Sequence, residues 1–411
     1  MRILFAVHGY KPAWRIGGPI VSVSALAESL VKKGHEVIVF TTNSNLDEDL
    51  DVPCNCPIDV NGVQVWYFER QAFLKRIFPN WSYIAKSVGF LYCPKMAIEL
   101  KRIIPTVDLV HTHLPFNYPT YAAARTAFYF NKPLFYHQRG VLDPERLKFR
   151  SLKKSLFLKW IELPILRRAT TLIALTQAEV ASYRNLGVST HCCVIPNGID
   201  ADTYFNGGDL TELRKLGIQA HHVVILFMGR IHPIKGANCL LDAFIKIHAK
   251  IPDAILIMAG PDEFGLENSF RLLTDSLGLS NRVLFPGMIN GMIKCAILNR
   301  ADLFCLPSDA EGFSMAVLEA MASSTAVLLS PGCHFDEVEE NGAGKIVNTS
   351  SSAIADGILE LTSDLEQLRK MGVKGRNLVK RDYMWEKITD SMLGAYEEGI
   401  TRHGERVWLN K

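Results

Sequence analysis

Three stretches of the chain combine residue types that can hold a phosphorylated, hydroxyl-rich ligand. In residues 229–236, GRIHPIKG, Arg230 and Lys235 stand between an apolar run and a helical one. Two cations so placed can grip a diphosphate, arginine through its planar fork and lysine as a point charge. In residues 308–322, SDAEGFSMAVLEAMA, Glu311 falls in a loop and Glu319 lies inside a helix expected to start at Ser314. The start of such a helix offers the amides of Gly312, Phe313, Ser314 and Met315 to an anion. Carboxylates on either side can accept hydrogen bonds from sugar hydroxyls. Gly17 and Gly18 close a loop after the first apolar run and precede a helix. They read either as a phosphate-approach site or as a tight turn that needs glycine.

Other patterns carry less. DEDLD, residues 47–51, has acid-x-acid spacings that could hold a metal, but it lies in a polar loop far from the stretches above and reads as a solvated acidic loop. NGAGK, residues 341–345, is followed by Ile346 where a phosphate loop requires Ser or Thr. The nine cysteines show neither paired zinc spacing nor the density of a disulfide scaffold. Cys54 and Cys56 flank Asn55 in a polar loop and read as ordinary thiols.

The elements that must position these residues follow from the apolar pattern. A chain of 411 residues exceeds the ~250 to 300 that one hydrophobic core supports. With 48% apolar and 21% charged residues it is an ordinary globular composition. Apolar runs ILFAV, EVIVFTT, VQVWYF, DLVHTH, PLFYHQ and TLIALT alternate with helical stretches up to about residue 195, predicting a parallel, doubly wound sheet. Residues 195–208, IPNGIDADTYFNGG, break the pattern as a linker. The alternation restarts with VVILFMG, AILIMAG, RVLFPG and DLFCLP. The expected domains are therefore residues 1–198 and 199–384, with a last helix at 385–400 packing back on the first. The default ligand site is a cleft at the carboxyl ends of the strands. Charge is split: residues 1–200 carry 24 Lys and Arg against 15 Asp and Glu, a net +9, and the remainder carries 21 against 27, a net −6. A basic half suggests an anionic partner. No run of ~18 apolar residues occurs, and ILFAV is short for a leader core, so the expectation is a cytoplasmic chain.

The GRxxxxKG element, the EGFS-x4-E element with its glutamates eight positions apart, the Gly-Gly loop and the IPNGID linker resemble the retaining glycosyltransferases of family 4. That resemblance covers essentially the whole chain and implies a GT-B fold, two Rossmann-like domains facing across a cleft. HQRGVLDP, residues 137–144, is similar to a segment of enzymes that build bacterial surface polysaccharides. Carried over by residue, the resemblance implies that Arg230 and Lys235 bind the donor diphosphate. It places Glu311 on the donor sugar, Glu319 on the ribose hydroxyls and the amides of Phe313 and Ser314 on sugar or phosphate. It sets His137 near the anomeric carbon, Met288 in the region of the nucleobase, and makes Arg139 an acceptor-site candidate. The chain departs from the family pattern at SSTA, residues 323–326, where relatives carry a glycine-proline turn.

The implied reaction moves a sugar from a nucleotide-diphosphate donor to a glycan or lipid-linked acceptor, without metal or cofactor and without nucleic acid. The alternatives are a nucleotide-sugar epimerase on the same fold and a non-catalytic nucleotide-sugar-binding subunit. Between Arg146 and Arg168 eight basic residues and one acid, Glu162, interleave with Leu, Phe and Trp. The stretch reads as an interfacial amphipathic helix for an anionic surface on the inner face of the plasma membrane, which Pro164 would kink or end.

Overall fold

The computed structural model describes residues 1–46, 48–70, 91–144, 147, 152–204, 210–262 and 264–409. They form two compact units, the first made of Met1–Gly198 with Trp385–Lys411 and the second of Ile199–Met384.

The first unit carries β1 (Arg2–Ala6), β2 (Glu36–Thr42), a short hairpin of β3 (Ser44–Asn45) and β4 (Glu48–Asp49), then β5 (Pro57–Val60), β6 (Val63–Phe68), β7 (Leu109–His113), β8 (Leu134–His137), β9 (Thr171–Ala174) and β10 (Cys192–Val194). Its main sheet runs β10-β9-β8-β7-β1-β2-β6-β5. Neighbours are parallel except at one edge, where β5 pairs antiparallel with β6. The sequence pattern does not contain β5, because its four residues alternate between exposed and half-buried and Asp59 interrupts the apolar run. Within the sheet, alternate residues face opposite layers. Leu4, Ile38, Val110 and Tyr136 join one core cluster, and Ile3, Val37, Leu109 and Phe135 join another. Ile388, Met392 and Tyr396 of the Trp385–Leu409 helix belong to the second cluster. Gly399 lets that helix approach closely, since a Cβ there would lie 2.4 Å from the Phe135 ring.

The basic stretch is not one regular helix. Arg146, Lys148, Arg150 and the side chain of Lys153 lie outside the described residues. The rest forms an α-helix at Leu152–Phe157, a π-helical turn at Leu158–Glu162 and an α-helix at Leu163–Arg168. Pro164 therefore neither ends nor starts the run. The wider turn before it absorbs the missing amide and the ring. Glu162 is fully buried, accepting from the Phe116 amide at 2.7 Å and the Tyr136 hydroxyl at 2.6 Å. The lone acid of the stretch is thus an internal anchor and not part of a solvated face.

The second unit carries β11 (Val223–Met228), β12 (Ala254–Ala259), β13 (Val283–Gly287), β14 (Leu303–Leu306), β15 (Ala326–Leu329) and β16 (Gly344–Ile346). All are parallel, in the order β13-β12-β11-β14-β15-β16. The chain builds outward from β11 on one side and resumes on the other at β14. The gap between β11 and β14 is the topological switch point where open parallel sheets hold ligands. In the first unit the same reversal falls between β1 and β7.

At residues 323–326 the turn is made without glycine. Ser324 takes φ +62°, the left-handed conformation, after the Met315–Ala322 helix. Ser323 donates from its hydroxyl to Glu319 O at 3.0 Å and Tyr204 O at 3.2 Å, and Thr325 to Leu298 O at 2.8 Å. Hydroxyl bonds to backbone carbonyls fasten the turn on either side of Ser324. Among the described residues no helix is long and apolar enough to cross a membrane.

Candidate active site

In the second unit the loops after β11, β14 and β15 lock together at the switch point. Asp309 N and Ser308 Oγ both donate to Ile234 O, at 2.8 and 2.9 Å. Ser330 Oγ donates to Ser308 O at 2.5 Å, and Glu311 N to Gly332 O at 2.8 Å. Glycine is required where the loops touch. Gly236 has φ +68°, and a Cβ there would stand 2.0 Å from Pro307 O.

This framework brings Lys235 and Glu311 into an ion pair between Nζ and Oε1, with side chains only 13% and 5% exposed. Arg230 stands exposed on the same loop, five positions earlier. Glu319, also buried, is held differently: its Oε1 accepts from Lys294 Nζ at 2.5 Å and from the Tyr204 hydroxyl at 3.0 Å. Lys294 also lies 5.5 Å from the Tyr204 ring centroid, a cation–π contact. Burial first and Glu319 second push the Tyr204 hydroxyl well above its ordinary range, so it remains a donor. Sequence reasoning misses Lys294 and Tyr204, since nothing in their local pattern marks them.

The Met315–Ala322 helix starts after Ser314, which is buried and whose side chain makes no cap bond to it. Phe313 packs on Phe335 and Tyr383, with ring centroids 5.1 and 5.9 Å away. That stacking fixes the backbone of residues 312–314. Met288, just past β13, is 53% exposed.

In the first unit Gly17 adopts φ +96°, and neither Gly17 nor Gly18 has a neighbour within 4 Å of an added Cβ. The space over this loop is open, as an approach site for a ligand requires. His137 ends β8, is 1% exposed, and lies among His111 and His113, whose ring centroids are 5.8 and 5.7 Å away. Burial, then Arg139 and His111, lower its pKa far below the ordinary value, so the ring is neutral. Both its ring nitrogens lack a hydrogen-bond partner among the described residues. Arg139 is buried too, donating from Nη1 to Ser22 Oγ at 2.8 Å and Asn197 Oδ1 at 2.9 Å. Burial lowers its pKa to about 10, which leaves it charged at neutral pH.

The acidic loop of residues 47–51 is held by cations of the chain itself. Glu48 pairs with Arg15 at 2.9 Å and Asp49 with Arg70 at 2.6 Å, while Asp47 lies outside the described residues. Two groups of metal-type ligands converge among the described residues. One is the buried trio His111, His113 and His137, and the other is His191, Cys193 and Glu398. Neither includes a residue of the second unit's site.

Two family models match the chain: Glycosyltransferase Family 4 over residues 16–203, and Glycosyl transferases group 1 over residues 210–378. Among solved structures, Anabaena HepE in complex with UDP and glucose superposes with a TM-score of 0.72 at 20% identity, over 97% of this chain and 99% of its own. Sucrose-phosphate synthase from Thermosynechococcus elongatus gives 0.73 at 23% identity, over 96% and 98%. The fold is GT-B, and glycosyltransferase family models match each of the two units. Relatives of the chain include the phosphatidyl-myo-inositol mannosyltransferase of Mycobacterium tuberculosis, 29% identical over 49% of this chain and 53% of that protein. The Escherichia coli UDP-Gal:alpha-D-GlcNAc-diphosphoundecaprenol alpha-1,3-galactosyltransferase is 28% identical over 72% and 79%. The chain spans about half the length of the first of these relatives.

Proposed function

We propose that this protein transfers a sugar from a nucleotide-diphosphate donor to an acceptor hydroxyl, with retention at the anomeric carbon and without a metal, in the assembly of a bacterial glycolipid or polysaccharide. The observation that carries this reading is the interlocked β11, β14 and β15 loops, with Lys235 and Glu311 paired at the switch point. A diphosphate there meets Lys235, Arg230 and the amides at the start of the Met315–Ala322 helix. Its departing charge is then relieved by groups already in place, which is worth roughly 10² to 10³ in rate per donor. Glu311 takes the sugar hydroxyls and Glu319 the ribose, the latter oriented by Lys294 and Tyr204.

No carboxylate is assigned as a nucleophile, so the acceptor oxygen attacks from the face the diphosphate leaves. The C1–O bond to the phosphate breaks as the C1–O bond to the acceptor forms, and the acceptor proton passes to the departing phosphate oxygen. His137, neutral and buried, is assigned to the sugar by the family resemblance. The test is nucleotide release from a panel of donors, with and without acceptors and with excess chelator. UDP-sugars come first, because HepE was solved with UDP and the E. coli relative is named for UDP-Gal. Acceptor-dependent release that survives chelator is expected. Turnover without acceptor would indicate an epimerase, and binding without turnover a non-catalytic subunit.

The acceptor is proposed to be lipid-linked and presented at an anionic membrane. A patch on the first unit supports this. Trp160 and Tyr129 are 69% and 80% exposed. Beside them Lys159 lies over Trp160 at 5.3 Å, Arg168 over Phe128 at 4.3 Å and Arg125 over Tyr121 at 5.9 Å. Cations beside exposed aromatics suit a headgroup layer. Sedimentation with anionic vesicles at low salt, lost at high salt, is the expected result. Equal recovery with neutral vesicles, or none with either, removes the membrane.

A further inference from the structure

Arg139 is out of place as an ordinary buried residue. It has φ +53° and is followed by Gly140 at +76°, so two successive residues have positive φ, with one residue between them and the strand that ends in His137. For a non-glycine residue this costs about 1–2 kcal/mol and persists only where surrounding contacts impose it. Those contacts are specific. Nη1 donates to Ser22 Oγ and to Asn197 Oδ1, and Nε lies 3.3 Å from His113 Nδ1. Ser22 in turn donates from Oγ to the Gly18 and Pro19 carbonyls, both at 3.3 Å, in the first turn of the helix that opens at Gly18. His113 stands opposite His137 in register, and the Leu114 amide holds the His137 carbonyl at 2.9 Å. The next residue, Gln138, is fixed by bonds with Tyr183, the Glu179 carbonyl and the Leu142 amide.

One guanidinium thus ties the first turn of the helix that follows Gly17, the His137 turn and the segment through Asn197. Two of these are the parts of the first unit assigned to substrate. The guanidinium has no open side toward solvent, since Arg139 is 7% exposed and Ser22 and Asn197 are 1% and 6% exposed. We propose that Arg139 is a positioning residue for sugar transfer, holding the Gly18 backbone and the His137 turn in one geometry through Ser22 and His113, and that it does not contact the acceptor itself. Lysine keeps the charge but cannot direct donors to Ser22, Asn197 and His113 together. The proposal rests on the transferase reading above.

The experiment compares the wild-type chain with Arg139→Lys, Ser22→Ala and the double variant, measuring kcat, KM for donor and acceptor, and thermal unfolding. Misplacement on the order of 1 Å can cost about 10²-fold in rate. Arg139→Lys is therefore expected to lower kcat by roughly 10- to 100-fold with both KM values changed less than about threefold. Ser22→Ala is expected to lower kcat less, and the double variant to be no worse than Arg139→Lys, because both break one linkage. A lower unfolding temperature with wild-type kcat would overturn the proposal, as would strictly additive losses. A raised acceptor KM at unchanged kcat would also overturn it and return Arg139 to the acceptor. Absence of transfer by the wild-type chain would defeat the functional reading. Transfer by the wild type with full kcat in Arg139→Lys would defeat this proposal alone.

Discussion

Lys235 meets Glu311 where both side chains are largely withdrawn from water, whereas Arg230 stands exposed on the same loop. Alanine at either position should lower kcat by roughly 10² to 10³. Lys235→Ala should in addition destabilise the fold by about 3 kcal/mol, because it leaves a buried carboxylate without its cation. Steady-state kinetics with urea unfolding of both variants checks this, and full activity in both would remove them from the site. Ser324 offers a second check. Glycine in its left-handed turn should raise stability by about 1 kcal/mol, read from the urea midpoint. Arg230, Lys235 and Glu311 are legible in the sequence because they fall in loops just past apolar runs, and Glu319 because it is an acid inside an otherwise apolar helix eight positions after Glu311. Lys294 and Tyr204 are not, for they reach Glu319 from 25 and 115 positions away, and only the fold creates that proximity.

At the scale of elements, the strand and helix alternation is readable because parallel strands buried on both faces are continuous apolar runs. The three-residue β10 and β16 are too short for an apolar run to stand out, and the reading has no strand there or at the four-residue β15. The basic stretch shows a different failure. Charge pattern predicts one amphipathic helix, but a buried acid and a π-helical turn divide it. Glu162→Ala tests that anchor. Two buried donors, the Phe116 amide and the Tyr136 hydroxyl, lose their acceptor, at roughly 1–3 kcal/mol each. The variant should unfold at markedly lower urea concentration and bind vesicles less well, whereas an unchanged midpoint would mean the segment is not anchored there.

The whole molecule divides its charge, with a basic first half and an acidic second. The family match spans both halves, with one model in each. A sugar nucleotide consumed only when an acceptor is present is what such a protein should show. Proton NMR of an α-linked UDP-sugar incubated with the protein, EDTA and a lipid-diphosphate-linked saccharide follows the donor's anomeric proton directly. The account predicts that this signal decays only with acceptor present and is replaced by an α-glycoside as UDP accumulates. A donor that stays intact across the sugar panel, one that changes without acceptor, or a β-linked product would contradict it.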